Sequence, residues 1–530
     1  MKLTGRYWKV GVSVLLGIGV FLFWWGGYPF ALTYQEQYQL FLFTSDYFRE
    51  RASIAGGLTD YVSDFIVQFY YIPWLGALLL ALLSVALYAL VPTKDSSGQG
   101  KLEGAVLPLT IPLLLLHLMG DESVLLAYMV SMIVVLLTVR LLRRPKWYVE
   151  LLVVSALYWV AGPMCWLYVA VRVAQRGWRW LWLPVWLLAV ECLAYLTVMQ
   201  QWPPESVLFS INYYRTPMQM PLLMALIPLA VTAIVALSHV KLSSKIGVPL
   251  ALVCCLAALV YVPSGFDADK YELIRQDQLI RAEQWDEVIE RAEQHVVKTT
   301  FWSNSVNLAL SQKRQLAERM FDFYQSGDDA LAMPRHRDLT SNLPTAEAYY
   351  RLGLVNSAQR YMFDIQESIL NGKKSGRCTK RIAECMIING HYKTARKQLN
   401  ILKHSLFYSS WAEEAERCLD NEAQVEQHAD WARLRKLRFK DNFLFSYGEI
   451  EKIFGLLFVN NPENKMALDY FLAEQLLKGN VQQFMQYLQW AQQYGGYRAM
   501  PAGYQDAVRC IQTRGREGGK YGEYVRRFAK

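Results

Sequence analysis

The chain has 530 residues, 53% of them hydrophobic and 19% charged, with a formal net charge of +9. A uniformly soluble protein is excluded, because apolar runs fill the sequence up to about Pro263 and charged residues become frequent only after it. The positive charge does not point to nucleic acid: much of it lies in short loops between apolar runs, where it sets membrane topology.

About twenty apolar residues cross a bilayer. Residues 1–263 therefore read as a polytopic transmembrane helix bundle of about nine spans. In chain order these are Trp8–Trp25, Ile72–Val91, Ala105–Met119, Val124–Leu142, Trp147–Gly162, Met164–Val173, Leu181–Val198, Pro221–Ser238 and Ile246–Val262. Pro163 separates the fifth from the sixth and admits either one kinked segment or a tight hairpin. With the N-terminus inside, inner segments hold Lys2, Arg6, Lys9, Lys94, Lys101, Arg140, Arg143, Arg144, Lys146, Arg172, Arg176, Arg179, Lys241 and Lys245. Outer loops hold only Arg49, Arg51 and Arg215, which favours the hairpin. The expected location is a bacterial inner membrane, with a cytoplasmic N-terminus, a retained first span and an exported domain after Val262.

The long first outer loop, residues 26–71, mixes aromatic and polar residues from Tyr34 to Phe48. It breaks at Gly56-Gly57 and resumes from Leu58 to Tyr70. Two helices along a membrane surface with a glycine hinge fit this pattern.

Residues 264–530 are predicted to be wholly helical, giving an all-α chain. Paired helices recur at Tyr271–Glu283 with Trp285–His295, Ala346–Leu352 with Asn356–Ser368, Thr379–Ile388 with Tyr392–Lys403, and Met466–Leu477 with Val481–Gln492. They resemble tetratricopeptide-like repeats, although the spacing between pairs is not constant. Such stacks offer a docking surface for an exported protein, or simply cover the membrane half. The tail from Thr513 is expected to be loosely ordered. Of the eight cysteines, Cys378, Cys385, Cys418 and Cys510 fall in the exported domain, where disulfides can form.

No nucleotide loop, zinc-protease helix, nucleophile elbow or metal-spaced Cys/His cluster occurs in the sequence. What topology gathers at the outer mouth is a set of polar groups. Glu36, Asp46, Asp60 and Asp64 come from the first outer loop, and His117 from the outer end of the third span. Tyr213, Tyr214 and Arg215 come from the fourth outer loop, and Glu191 lies within the seventh span. An ionisable group in a span normally faces a bundle interior or a watered cavity. Asp60 and Asp64 share a helix face by their spacing. That face is either solvated or able to hold a divalent cation, the one cofactor the sequence leaves open.

A bundle that starts inside, a long first outer loop bearing carboxylates, and an exported C-terminal domain resemble the C-type glycosyltransferases. With repeats after the membrane half, the arrangement looks like the transmembrane O-mannosyltransferases with lumenal repeats. The segment Tyr34–Phe48 with Gly56-Gly57-Leu58 is also similar to an uncharacterised family of multi-span proteins from Bacteroidota. The glycosyltransferase resemblance implies a polyprenyl-phosphate sugar as donor and an exported protein or glycan as acceptor. Glu36 or Asp46 would be the general base. Arg215 and His117 would steady the lipid phosphate, with Glu191, Tyr213, Tyr214, Asp60 and Asp64 as substrate-binding residues. The adjacent acidic residues common in that loop are missing here. The competing expectation is a non-enzymatic scaffold that recruits envelope proteins. A transporter is weaker, for want of other charges within spans and of inverted repeats.

Overall fold

A computed structural model of the protein describes residues 3–92, 103–143, 145–238, 244–336, 338–370, 372–439, 447–494, 497, 499–513 and 519–528. Lys2, Lys94, Lys101, Arg144 and Lys241 of the positive-inside argument lie outside the described residues. The chain divides into two compact units. The first comprises Met1–Ala268 with Leu370–Lys373, the second Asp269–Ile369 with Lys374–Lys530.

The first unit holds α1 (Leu3–Leu22), α2 (Pro29–Glu36), α3 (Ser45–Ala52), α4 (Gly57–Val67), α5 (Pro73–Leu90), α6 (Glu103–Val106) and α7 (Thr110–Leu118). It continues with α8 (Leu126–Leu141), α9 (Trp147–Ala161), α10 (Cys165–Arg176), α11 (Trp182–Thr197), α12 (Pro204–Phe209), α13 (Leu222–Ser238) and α14 (Ser244–Tyr261). A helix thus stands at each apolar run. Among the described residues, five stretches are long and apolar enough to cross a membrane: Trp8–Gly27, Pro73–Leu90, Trp147–Arg176, Trp178–Thr197 and Lys245–Gly265. Gly104–Leu118, Leu126–Leu141 and Leu222–Ser238 are shorter. Large apolar side chains point outward from these helices: Leu15 is 72% exposed, Leu152 70% and Val260 78%. Such a coat is costly in water and ordinary against lipid.

Trp147–Arg176 is not one straight rod. Residues 150 and 172 of a continuous helix would stand about 33 Å apart, yet Glu150 Oε1 is 3.4 Å from Arg172 Nε. The chain reverses at Gly162-Pro163-Met164, where Gly162 takes a φ of +60°. α9 and α10 form the hairpin that the charge pattern favoured.

α4 departs from a surface helix. It packs on α8 and α9, and its Thr59, Asp60, Ser63 and Asp64 are all buried. Small residues permit the approach: Thr59 Oγ1 lies 2.7 Å from Ser131 Oγ and donates to the Val160 carbonyl at 3.2 Å.

The second unit continues from α15 (Ala268–Arg281) through α16 (Trp285–Gln294), α17 (Thr300–Gln312), α18 (Leu316–Arg319), α19 (Leu343–Leu352), α20 (Val355–Glu367), α21 (Gly376–Ile388) and α22 (Tyr392–Lys403). It ends with α23 (Ser409–Cys418), α24 (Glu422–Gln427), α25 (Ala429–Leu437), α26 (Ile450–Asn460), α27 (Lys465–Leu477), α28 (Val481–Gln493), α29 (Ala502–Gln512) and α30 (Gly519–Phe528). α19 packs on α20, α20 on α21, α21 on α22, α22 on α23 and α27 on α28. Ala395, Leu399 and Leu402 give α22 its buried stripe at helical spacing. The Ser375 hydroxyl caps α21 by accepting from the Cys378 amide at 3.0 Å. A buried ion network crosses α15, α19 and α21: Arg377 meets Asp277 at 2.7 Å and Arg381 meets Glu347 at 2.8 Å. Burial would raise the Glu347 carboxyl, but the guanidiniums of Arg381 and Arg377 outweigh it and hold it below its ordinary value. Of the tail expected to be loosely ordered, residues 514–518 and 529–530 lie outside the described residues, and α30 between them is helical and buries Tyr521 and Tyr524. All eight cysteines are free thiols.

Candidate functional site

The first loop builds a charged centre inside the first unit. α2 starts on Pro29, whose missing amide hydrogen costs nothing at that position. The Thr44 hydroxyl caps α3 by accepting from the Tyr47 amide at 3.2 Å. This cap sets Tyr47 and Arg51 one helical turn apart on the same face, and both are buried. α4 follows the left-handed Gly56 (φ +79°). A Cβ on Gly57 would stand 1.7 Å from the Arg51 carbonyl oxygen, so the turn between α3 and α4 closes only with glycine there.

Asp60 and Asp64 then face inward with side chains at 0% exposure. The Lys373 ammonium sits between them, donating to Asp60 Oδ1 at 2.7 Å and Asp64 Oδ1 at 2.8 Å. The Tyr47 hydroxyl donates to Asp64 Oδ2 at 2.7 Å. Arg51 Nη1 lies 3.6 Å from Asp60 Oδ2, and its guanidinium covers the Tyr47 ring at 5.0 Å. Two carboxylates and two cations make the cluster neutral, the condition under which buried charges are tolerable. Burial pushes the Asp60 carboxyl up, aided by Asp64 and opposed by Lys373 and Arg51. Burial likewise drives the Tyr47 phenol well up, with Asp64 adding to it. For Arg51 burial acts downward, but attraction to Asp60 more than offsets it and the group stays firmly protonated.

This corrects the solvated-face alternative for Asp60 and Asp64. It also puts an ammonium where their shared oxygens would receive a divalent cation. Among the described residues no group of three or more His, Cys, Asp or Glu is arranged to hold a metal.

Arg215 approaches the same region. Tyr213 to Arg215 run antiparallel to Ser123–Leu125: the Leu125 amide donates to the Tyr213 carbonyl at 2.9 Å and the Arg215 amide to the Ser123 carbonyl at 2.9 Å. Arg215 is buried, its guanidinium lies over the Tyr38 ring at 5.1 Å, and Nε donates to the Glu122 carbonyl at 3.3 Å. Its Nη2 has no hydrogen-bond partner among the described residues. Burial lowers its pKa, opposed by Tyr34, Tyr38, Glu122 and Asp64.

Glu36 ends α2 in a buried position, whereas the Asp46 side chain is 89% exposed and 3.6 Å from Arg49. His117 stacks on Tyr261 at 3.9 Å and its Nδ1 lies 2.9 Å from the Tyr261 carbonyl. Glu191 Oε1 accepts from Trp166 Nε1 at 2.9 Å. The Tyr213 hydroxyl donates to the Ala161 carbonyl and accepts from the Met164 amide, tying down the α9–α10 reversal. The Tyr214 hydroxyl donates to Asp121 Oδ2 at 2.7 Å.

Sequence reasoning missed Tyr47, Arg51 and Lys373 as members of this centre. Lys373 sits in a polar turn far along the chain, with no local signal. Glu191 is also not alone among ionisable groups in the bundle, as the argument against a transporter assumed. Glu150 is fully buried, accepts from the Tyr168 hydroxyl at 2.6 Å and pairs with Arg172. Its position one turn into an apolar run made it legible.

Residues 6–528 match the family described as Family of unknown function (DUF6057), and the chain belongs to that family. No curated protein and no solved structure matches it.

Proposed function

We propose that this DUF6057 protein is a non-enzymatic scaffold of the bacterial inner membrane, with about nine spans and an exported, repeat-like helical unit that recruits an envelope protein or glycan. The observation that carries this reading is the closure of two loop carboxylates: Lys373 donates to Asp60 and Asp64, Tyr47 donates to Asp64, and Arg51 pairs in charge with Asp60. Asp46 is exposed at the surface beside Arg49, and Glu191 accepts from a tryptophan. The serial packing of α19 to α23 supplies the stacked architecture on which partner-binding surfaces are built. Photo-crosslinkers at the exposed Lys393 and Lys397 of α22 should capture a discrete partner in intact membranes. The Glu36→Gln/Asp46→Asn variant should keep full biological activity. Loss of activity in that variant, with its folded yield unchanged, would overturn the scaffold.

A lipid-linked transferase is the second reading, favoured by the buried Arg215 guanidinium with an open donor at Nη2. Buried, forked donors of this kind suit a phosphate oxygen. In that reading Glu36 is the base, Arg215 steadies the phosphate of a polyprenyl-phosphate sugar, and an exported protein or glycan accepts the sugar. Native mass spectrometry with polyprenyl phosphate, wild type against Arg215→Ala, separates the readings: selective retention lost in the variant supports transfer chemistry.

A further inference from the structure

The end of the bundle opposite the Asp60 centre carries a different site. Lys9 is near the start of α1 and Leu90 ends α5, whereas the loop bearing Asp60 joins the other ends of these two helices. At 1.5 Å per residue the two ends are roughly 25 Å apart. At the Lys9 end a cavity of about 690 Å³ is lined by Lys9, Tyr88, Arg140, Arg143, Arg172 and Arg176 together with Gln175 and mostly apolar side chains. Among the described residues no carboxylate lines it. Glu150 stands behind the wall, 3.4 Å from Arg172 Nε and 3.6 Å from Arg176 Nη1. It fixes these two guanidiniums and leaves a clear positive excess. Arg140 is anchored by donating to the Ala89 carbonyl at 2.7 Å, at the C-terminus of α5.

Positive charge at this end alone would be no more than a topology signal. The cavity, however, has an apolar continuation. A groove of about 420 Å³ runs between α1 and α5, lined by Val14, Ile18 and Phe21 on one side and Leu78, Leu82 and Val85 on the other. Ser13 lines both the cavity and the groove. A cationic chamber that opens into an apolar channel along the helices matches an amphiphile: an anionic head with a hydrocarbon tail.

We propose that this composite site binds one lipid with a phosphate headgroup. The phosphate sits between Arg140 and Arg143, which are exposed to the cavity and whose guanidinium forks suit its oxygens; Arg172, held by Glu150, Gln175 and Tyr168, adds only its charge. One hydrocarbon chain passes Ser13 and lies in the α1–α5 groove. Free phosphate shares the head chemistry but makes no use of the groove, and the site does not depend on the scaffold reading.

The test uses the full-length protein, delipidated in detergent and examined by native mass spectrometry. The probes are dioleoyl phosphatidylglycerol, dioleoyl phosphatidylcholine and inorganic pyrophosphate. Phosphatidylglycerol should bind at one per chain, ahead of the zwitterionic lipid and of pyrophosphate. Arg140→Ala/Arg143→Ala should weaken it roughly tenfold or more, as removal of two cations facing an anionic headgroup implies. Leu82→Trp, at a half-exposed groove position, should weaken it by obstruction of the tail, while Lys452→Ala in the second unit should not. Pyrophosphate binding as tightly as the lipid, with no effect of Leu82→Trp, would overturn the lipid in favour of a soluble anion. Lipid binding indifferent to both site variants would remove the site altogether.

Discussion

Lys373 Nζ lies 2.7 Å from Asp60 Oδ1, with the lysine side chain 3% exposed and the carboxylate 0%. The residues are 313 positions apart, so this pairing belongs to the folded chain and not to any local segment. Desolvating such a group is expensive, and the structure offsets the cost by placing two cations against two carboxylates.

Removing one member should therefore be worse than removing a neutral pair. Lys373→Met leaves an excess carboxylate in the interior and is expected to cost about 3 kcal/mol or more. Lys373→Met/Asp64→Asn restores charge balance and should recover most of that loss. Denaturation of the purified protein in detergent reads both. A single variant as stable as wild type would mean that the ammonium does not hold the two carboxylates together.

The α3–α4 turn makes a steric prediction. Gly57→Ala places a methyl group 1.7 Å from the Arg51 carbonyl oxygen, and backbone cannot yield as a side chain would. A loss of about 3 kcal/mol or more is expected, by overpacking against fixed backbone. Gly479→Ala meets nothing within 4 Å and carries only the strain of its φ of +66°, about 1 kcal/mol. Folded yield by fluorescence-detected size exclusion should separate the two, and equal yields would contradict the geometry.

Asp469 in α27 gives a pH signature. Burial pushes its carboxyl up to about 6 from an ordinary 3.8, against the hydrogen bond from Tyr497 and the charges of Arg314 and Lys465. The folded state binds this proton more tightly than the unfolded state. The stabilisation is therefore full below 3.8 and is lost as pH rises through about 6. Asp469→Asn keeps an acceptor for Tyr497 and does not ionise. It should exceed wild type by about 1–3 kcal/mol at pH 8, with the gap closing toward pH 4. Melting curves across that range decide it; a constant gap would assign the effect to packing instead.

Topology can be read from one thiol. Cys418 is half-buried, while Cys378, Cys385 and Cys510 of the second unit are buried. A membrane-impermeant maleimide should label Cys418 in sealed right-side-out membranes without permeabilisation. Labelling only after permeabilisation would place the second unit on the inner side.

Much of the helical layout was legible because it is written locally. Runs such as Pro73–Leu90 carry their signal in consecutive residues, and the Lys/Arg asymmetry around Pro163 already favoured the reversal that Glu150 and Arg172 now show. Helix pairs such as α21 and α22 were visible from the Asn389-Gly390 turn between them. The charged centre was only half legible. The spacing of Asp60 and Asp64 put them on one face, but whether that face met water or α8 depended on Ser131 and Val160, far away in sequence. Lys373 had no mark distinguishing it from Lys374 beside it. Asp46 and Glu36 look alike as loop carboxylates, and only the fold makes one exposed and the other buried.

The reversal at Gly162-Pro163-Met164 bears on how the protein enters the membrane. α9 alone would carry the Glu150 carboxylate into hydrocarbon, and α10 alone would carry Arg172. Each is a charge that a helix inserted singly is poorly able to bring with it. Paired at 3.4 Å, they cancel. The two half-length helices are therefore expected to leave the insertion machinery together, as one delayed step in biogenesis. In a chain ended at Ala161 a cysteine placed within α9 is expected to react with an aqueous maleimide, whereas in one ended after Arg176 it is shielded; the order of synthesis then waits on a salt bridge.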